Sequence, residues 1–191
     1  MRICVYGAGA VGGHVAVRLA CSGHDVSVIA RGDNLAGIRA NGLALRAAGE
    51  EFHARVAATS QPSDLSKQDF VISTLKANAL GALAAGVAPL LGPNTAIVFA
   101  QNGLPWWYDI GLALSQPTPP DLSPLDPCGA LRKAIEPARV IGAVIHSSNE
   151  VVAPGVIVND SPLRNTIVIG EPNNEDSTRV RNLRAAFAAS E

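Results

Sequence analysis

The stretch Arg2–Arg31, RICVYGAGAVGGHVAVRLACSGHDVSVIAR, decides the fold. Arg2–Tyr6 is a short apolar run that stops at Gly7. Ala10–Ser22 reads as a helix, with Val11, Val15, Leu19 and Ala20 along one side. Gly23 ends that helix, because glycine takes the backbone conformation that helix C-termini use. Asp25–Ala30 is a second buried strand. Strand, glycine turn, helix and strand in this order make a βαβ unit, which requires parallel strands and a right-handed crossover. Gly7-Ala8-Gly9-Ala10-Val11-Gly12 is then a G-x-G-x-x-G in the context that gives the motif meaning. Gly7 makes the tight turn, Gly9 lets backbone approach a pyrophosphate, and Gly12 lets the helix lie close to the strand. The helix N-terminus adds free N–H groups and positive dipole. Gly7, Ala8, Gly9, Ala10, Val11 and Gly12 are therefore the candidate cofactor-binding segment.

The residue after the second strand sets the type of dinucleotide. An acid there bonds ribose hydroxyls, whereas this chain has Arg31 followed by Gly32. A guanidinium bonds a 2′-phosphate in a forked geometry that a carboxylate would repel. Arg31 thus favours NADPH, with Asp33 expected to cap a short helix over Asp33–Ala40.

Farther along, Gly42–Ala48 and Glu51–Ala58 flank Gly49 and predict a hairpin or an edge-strand excursion. Asp69–Leu75 and Thr95–Ala100 are further buried strands, separated by a helix from Asn78 to Leu91 that Gly92-Pro93 would stop. Ligands in an open parallel sheet sit at the carboxyl ends of the strands. Lys76, after the first of these strands, and Asn102, after the second, should therefore face the same crevice as the glycine turn. Residues 104–137 hold seven of the 13 prolines and both tryptophans, and read as an irregular insertion with a short helix near Trp106–Leu114. The Trp106-Trp107 pair reads as loop packing. Val140–Ser147, Gly155–Val158 and Thr166–Ile169 are three more β-like runs. Ser177–Ala189 closes the chain as an amphipathic helix with Val180, Leu183 and Phe187 on one side.

Composition narrows the function classes. Of 191 residues, 48% are hydrophobic and 16% charged, with a net charge of -1, which fits a folded chain and gives no electrostatic footprint for nucleic acid. Cys4, Cys21 and Cys128 are scattered without C-x-x-C spacing, against a disulfide scaffold or cysteine zinc site. No His/Cys/carboxylate cluster has metal spacing, and no G-x-S-x-G elbow supports a hydrolase. His14 and His53 are expected to be partly exposed, His24 structural, and His146 a binding candidate. The absence of a leader or membrane-length apolar run predicts a cytoplasmic protein.

Taken together, G-x-G-A-x-G at Gly7–Gly12, Arg31 after the second strand, T-L-K at Thr74–Lys76 and Q-N-G at Gln101–Gly103 resemble the ketopantoate reductase family. The resemblance implies an α/β, Rossmann-type, doubly wound and mostly parallel sheet, with the family's second, all-helical domain absent from this chain. Residues 1–175 would be the NADP-binding domain and 176–191 the start of a linker helix. It also implies NADPH-dependent reduction of 2-dehydropantoate to pantoate, on the route to coenzyme A, with Arg31 at the 2′-phosphate. Lys76 becomes a cofactor contact and Asn102 a cofactor and substrate contact. The family's general-acid lysine is expected beyond Glu191, so no residue of this chain is assigned a catalytic role. The proline-rich stretch departs from the family pattern and leaves another 2-keto acid open as substrate. Expected partners are the small keto acid, with a homodimer as the assembly to test for, and neither nucleic acid nor membrane. A non-catalytic NADPH-binding module and a flavin enzyme are the alternatives, the latter opposed by Arg31. If the last helix begins a linker, Leu183 and Phe187 should be exposed and promote self-association.

Overall fold

The computed structural model describes residues 1–110, 121–161 and 164–190. The expected βαβ unit is present as β1 (Arg2–Tyr6), α1 (Ala10–Cys21) and β2 (Asp25–Ile29). It continues through α2 (Gly32–Asn41), β3 (Leu43–Ala47), β4 (Glu50–Ala54), β5 (Ala57–Thr59), β6 (Gln68–Ser73), α3 (Leu80–Gly86) and β7 (Leu91–Ala100). After these come α4 (Ala130–Ala134), β8 (Val140–His146), β9 (Asn149–Ala153), β10 (Val156–Asn159), β11 (Thr166–Gly170) and α5 (Thr178–Ala188).

The main sheet has seven strands in the order β11-β8-β7-β6-β1-β2-β5. All its neighbours are parallel except the antiparallel edge pair β11–β8. Side chains alternate across it, as the pleat demands. Ile3 and Val5 face a core shared with α1, α2 and α5, while Cys4 and Tyr6 face a second core with α3 and α4. A smaller sheet, ordered β4-β3-β10-β9, lies over α1. The helix is therefore held between two sheets. Gly12 turns toward the main sheet, where a Cβ would collide with the Gly7 carbonyl, and Gly13 turns toward β10, where a Cβ would collide with Ile157.

Several expectations are corrected. The run Glu51–Ala58 divides: β4 pairs with β3, whereas β5 crosses to the main sheet and pairs in parallel with β2, which a hairpin arm cannot do. The helix over 78–91 is shorter, because Pro89 lacks the N–H that an α-helix needs and instead opens a 3-10 turn. Gly92-Pro93 fall inside the solvent end of β7, where the Gly92 N–H is taken by Thr95 Oγ1 at 2.7 Å. β9 has no counterpart among the expected strands, since all but Asn149 of its residues are exposed and leave no alternation to read.

Asp33 lies in the first turn of α2 without a side-chain cap, the N-cap position being Arg31. The segment 104–137 is less an insertion than a crossover, which the parallel β7 and β8 require. Its Trp106 is buried edge-on against Phe99, with ring centroids 5.6 Å apart, and α4 packs on α3. The helix expected near Trp106–Leu114 is a series of turns over 106–110, and the rest of that range lies outside the described residues. Finally, α5 does not expose Leu183: Val180, Leu183 and Ala186 are core residues and Phe187 packs partly buried against them. Arg179 secures the helix, bonding Glu171 through two contacts of 2.5 and 2.7 Å and reaching the carbonyls of Ala138 and Val140.

Candidate functional site

The carboxyl ends of β2, β1, β6 and β7 lie in one row, because Tyr6 is in register with Ile29 on one side and Ser73 on the other, and Ser73 with Phe99. Chain direction across the sheet reverses between β1 and β6, the switch point where open α/β sheets form a crevice. The glycine turn occupies that point. Gly7 has φ of +108°, reserved for glycine, and the N–H groups of Gly7 and Ala8 both donate to the Ile29 carbonyl at 3.0 and 3.1 Å. Thr74 closes the other side, donating its hydroxyl to the Gly7 carbonyl at 2.5 Å.

Gly9 is different. Its backbone is in an ordinary extended conformation, it is exposed, and a Cβ placed on it would meet nothing within 4 Å. The space a side chain would fill lies directly above the turn. The first N–H groups of α1, from Ala10, Val11 and Gly12, have no acceptor within the helix, as at any helix start. The carbonyl of Ala8 points the other way and accepts from Asn34 Nδ2 at 2.6 Å.

Arg31 and Lys76 stand on opposite sides of this turn, one beyond β2 and one beyond β6. Both are exposed, and neither side chain has a partner among the described residues. Tyr6 lies beneath, its hydroxyl donating to the Ala82 carbonyl at 3.0 Å. Burial raises the Tyr6 pKa against the opposing charge of Arg31, so the phenol stays neutral.

Asn102 reaches the same edge but is already engaged. Its Nδ2 donates to the Ile145 carbonyl and its Oδ1 accepts from the Ile145 N–H, both at 2.9 Å. The side chain continues the β7–β8 ladder past the end of the strand, leaving one N–H and one lone pair for other partners.

Below this edge, α1, β8, β11 and α5 enclose a groove of about 520 Å³ that includes Val11, His14, Arg18, Ile145 and Asn149. His14 Nδ1 meets Asn149 Oδ1 at 2.7 Å, and burial lowers the imidazole pKa despite this contact. Asn149 is joined through Asn159 to Asn165 and Ser147, so these amides hold the β9–β10 hairpin to the end of β8. His146, at the end of β8, is exposed, as is His53. Among the described residues no three His, Cys, Asp or Glu side chains come together as metal ligands.

The structure thus puts the glycine turn, Arg31, Lys76 and Asn102 just beyond the carboxyl ends of four neighbouring strands of the main sheet. Sequence reasoning missed Asn34, which nothing but its place in the first turn of α2 would mark, and the clasp made by Thr74.

The profile of the family described as ketopantoate reductase PanE/ApbA matches residues 3–110. The chain belongs to this family. A 2-dehydropantoate 2-reductase of Mesorhizobium japonicum is 44% identical over 181 residues, covering 94% of this chain and 55% of that relative. A ketopantoate reductase candidate from Ralstonia solanacearum MolK2 has a crystal structure that superposes with a TM-score of 0.89 at 38% identity, over 99% of this chain and 58% of the other. The 2-dehydropantoate 2-reductase of Geobacter metallireducens GS-15 gives 0.77 at 26% identity, over 100% of this chain and 56% of its own. The chain therefore spans between half and two thirds of the length of these ketopantoate reductase relatives. The family match covers the glycine turn, Arg31, Lys76 and Asn102.

Proposed function

We propose that this chain is the NADPH-binding part of an oxidoreductase that reduces a 2-keto acid, with 2-dehydropantoate as substrate and pantoate as product. The observation that carries the reading is the open space over Gly9, with Arg31 and Lys76 beyond the strands on either side and neither paired among the described residues. That arrangement fits a dinucleotide with a 2′-phosphate. The N–H groups of Ala10, Val11 and Gly12 would hold the pyrophosphate and Arg31 the 2′-phosphate, with Lys76 on the opposite flank. Asn102 would offer its remaining N–H to the cofactor amide or a substrate oxygen. When bound, NADPH supplies the hydride.

Reduction of a ketone also needs a proton for the developing alkoxide. We assign that donor to the portion of the longer relatives that this chain does not match. Among the described residues no helix is long and apolar enough to cross a membrane. A cytoplasmic location and pairing of two copies belong to the same proposal, the latter checked by sedimentation.

Calorimetry tests the reading. Wild type should bind NADPH more tightly than NADH by about 10- to 100-fold, the effect of a charged hydrogen bond of about 1.5–3 kcal/mol, and Arg31→Ala should erase the difference. Equal affinities in the wild type would overturn it. In a ketopantoate assay following NADPH oxidation, this chain should be far slower than a version extended through the rest of the relatives' length. Comparable turnover would make Lys76 the first suspect as proton donor. A non-catalytic NADPH-binding module is the second reading, and would show cofactor binding without turnover in either form.

A further inference from the structure

We infer that Asn34 is a positioning residue for the dinucleotide, fixing the Ala8–Gly9 peptide of the glycine turn and its spacing from Arg31. The inference rests on the proposed NADPH site. Asn34 lies in the first turn of α2, three positions after Arg31, the N-cap of that helix.

Both ends of the Asn34 amide are used. Nδ2 donates to the Ala8 carbonyl at 2.6 Å, and Oδ1 accepts from the Gly155 N–H at 2.8 Å. Gly155 is itself an anchored point. It has φ of +77°, its carbonyl accepts from Ala44 N at 2.8 Å, and its neighbour Pro154 sits so close to α2 that a Cβ on Gly37 would fall 2.5 Å from the proline Cβ. Asn34 therefore stands between a rigid turn of the small sheet and the glycine turn of the main sheet.

The consequence lies in the direction of one peptide. With the Ala8 carbonyl held by Asn34, the Gly9 N–H donates to the Gly7 carbonyl at 2.8 Å, and the orientation of this peptide is fixed at both ends. Released, that peptide can rotate and bring its negative end toward the pyrophosphate. An aspartate at this position could still accept from Gly155 but, when ionised, could not donate to Ala8, and it would add charge beside two phosphate subsites.

The test is calorimetry with NADP⁺ and NAD⁺ on wild type, Asn34→Asp and Asn34→Ala, alongside circular dichroism and thermal midpoints without ligand. NADP⁺ affinity of Asn34→Asp should fall by about tenfold or more at pH 7.5, and by more than NAD⁺ affinity, because only NADP⁺ uses the turn and Arg31 together. A general loss of packing would lower the midpoint and weaken the two dinucleotides alike. Affinity within twofold of wild type in both variants overturns the inference, as does an equal loss for the two dinucleotides. Should Asn34→Asp fail to fold, Asn34→Ala carries the same NADP⁺-over-NAD⁺ comparison. Failure of the wild type to bind NADP⁺ is the separate result that removes the proposed function beneath it.

Discussion

The side-chain amide of Asn102 pairs with both backbone groups of Ile145, accepting from its N–H and donating to its carbonyl at 2.9 Å each way. A residue placed by its sequence at the ligand-facing edge thus also splices β8 onto the end of β7. Its replacement by alanine should cost about 1 kcal/mol of stability, since one donor and one acceptor of Ile145 lose their partner. Asn102→Asp should cost more, because a carboxylate oxygen would face the Ile145 carbonyl. Urea unfolding measures both, and an Asn102→Asp variant as stable as wild type would show that the pairing is dispensable.

Gly13 and Ile157 make a second such contact, between α1 and the small sheet. A Cβ on Gly13 collides with the end of the Ile157 side chain, so Gly13→Ala should destabilise by about 1–3 kcal/mol. Ile157→Val in the same chain should return part of that loss, although alone it costs about 0.5–1.5 kcal/mol. A double-mutant cycle by urea unfolding reads the coupling, and strict additivity would mean that the helix shifts freely instead.

Two glycines of the turn should respond in opposite ways. Gly9→Val points its side chain into open space, so the fold should survive while the thermal protection given by NADPH disappears. Gly12→Val meets the Gly7 carbonyl and Thr74 Oγ1 and should unfold the domain or lower its midpoint sharply. Circular dichroism melts with and without NADPH separate the cases, and retained protection in Gly9→Val would place the ligand elsewhere.

Acid should weaken the fold in two stages. Burial lowers the His14 pKa below 6.5, with Arg18 acting the same way and the Asn149 hydrogen bond opposing. For Glu171 burial pushes upward, but the hydrogen bonds from Arg179 and Ser177 prevail and hold the carboxyl below 4.5. A folded pKa lower than the unfolded one means the unfolded chain binds more protons, so stability present above the unfolded value is lost as pH falls through it. Midpoints should decline first below about pH 6.5 and again below about pH 4.5. His14→Gln should flatten the first decline and Glu171→Gln the second. A profile that His14→Gln leaves unchanged would show that another group carries the first stage.

What the sequence determined by itself is the unit from Arg2 to Arg31. Its strands, glycine turn and helix follow from apolar periodicity and from glycines within a few positions of one another, and those are local properties of the chain. Arg31 and Lys76 were legible for the same reason, since each directly follows a strand whose carboxyl end topology assigns to the crevice. Only the tertiary structure decided that Asn102 pairs its amide with both backbone groups of Ile145, that β5 leaves the small sheet for the large one, and that Leu183 is covered. It alone joins Asn34 to Gly155, 121 residues away, and His14 to Asn149, 135 residues away. Hydrogen-bonding capacity and apolar surface belong to a residue, but the partner that satisfies them is set by how distant strands cross, and no local pattern records that.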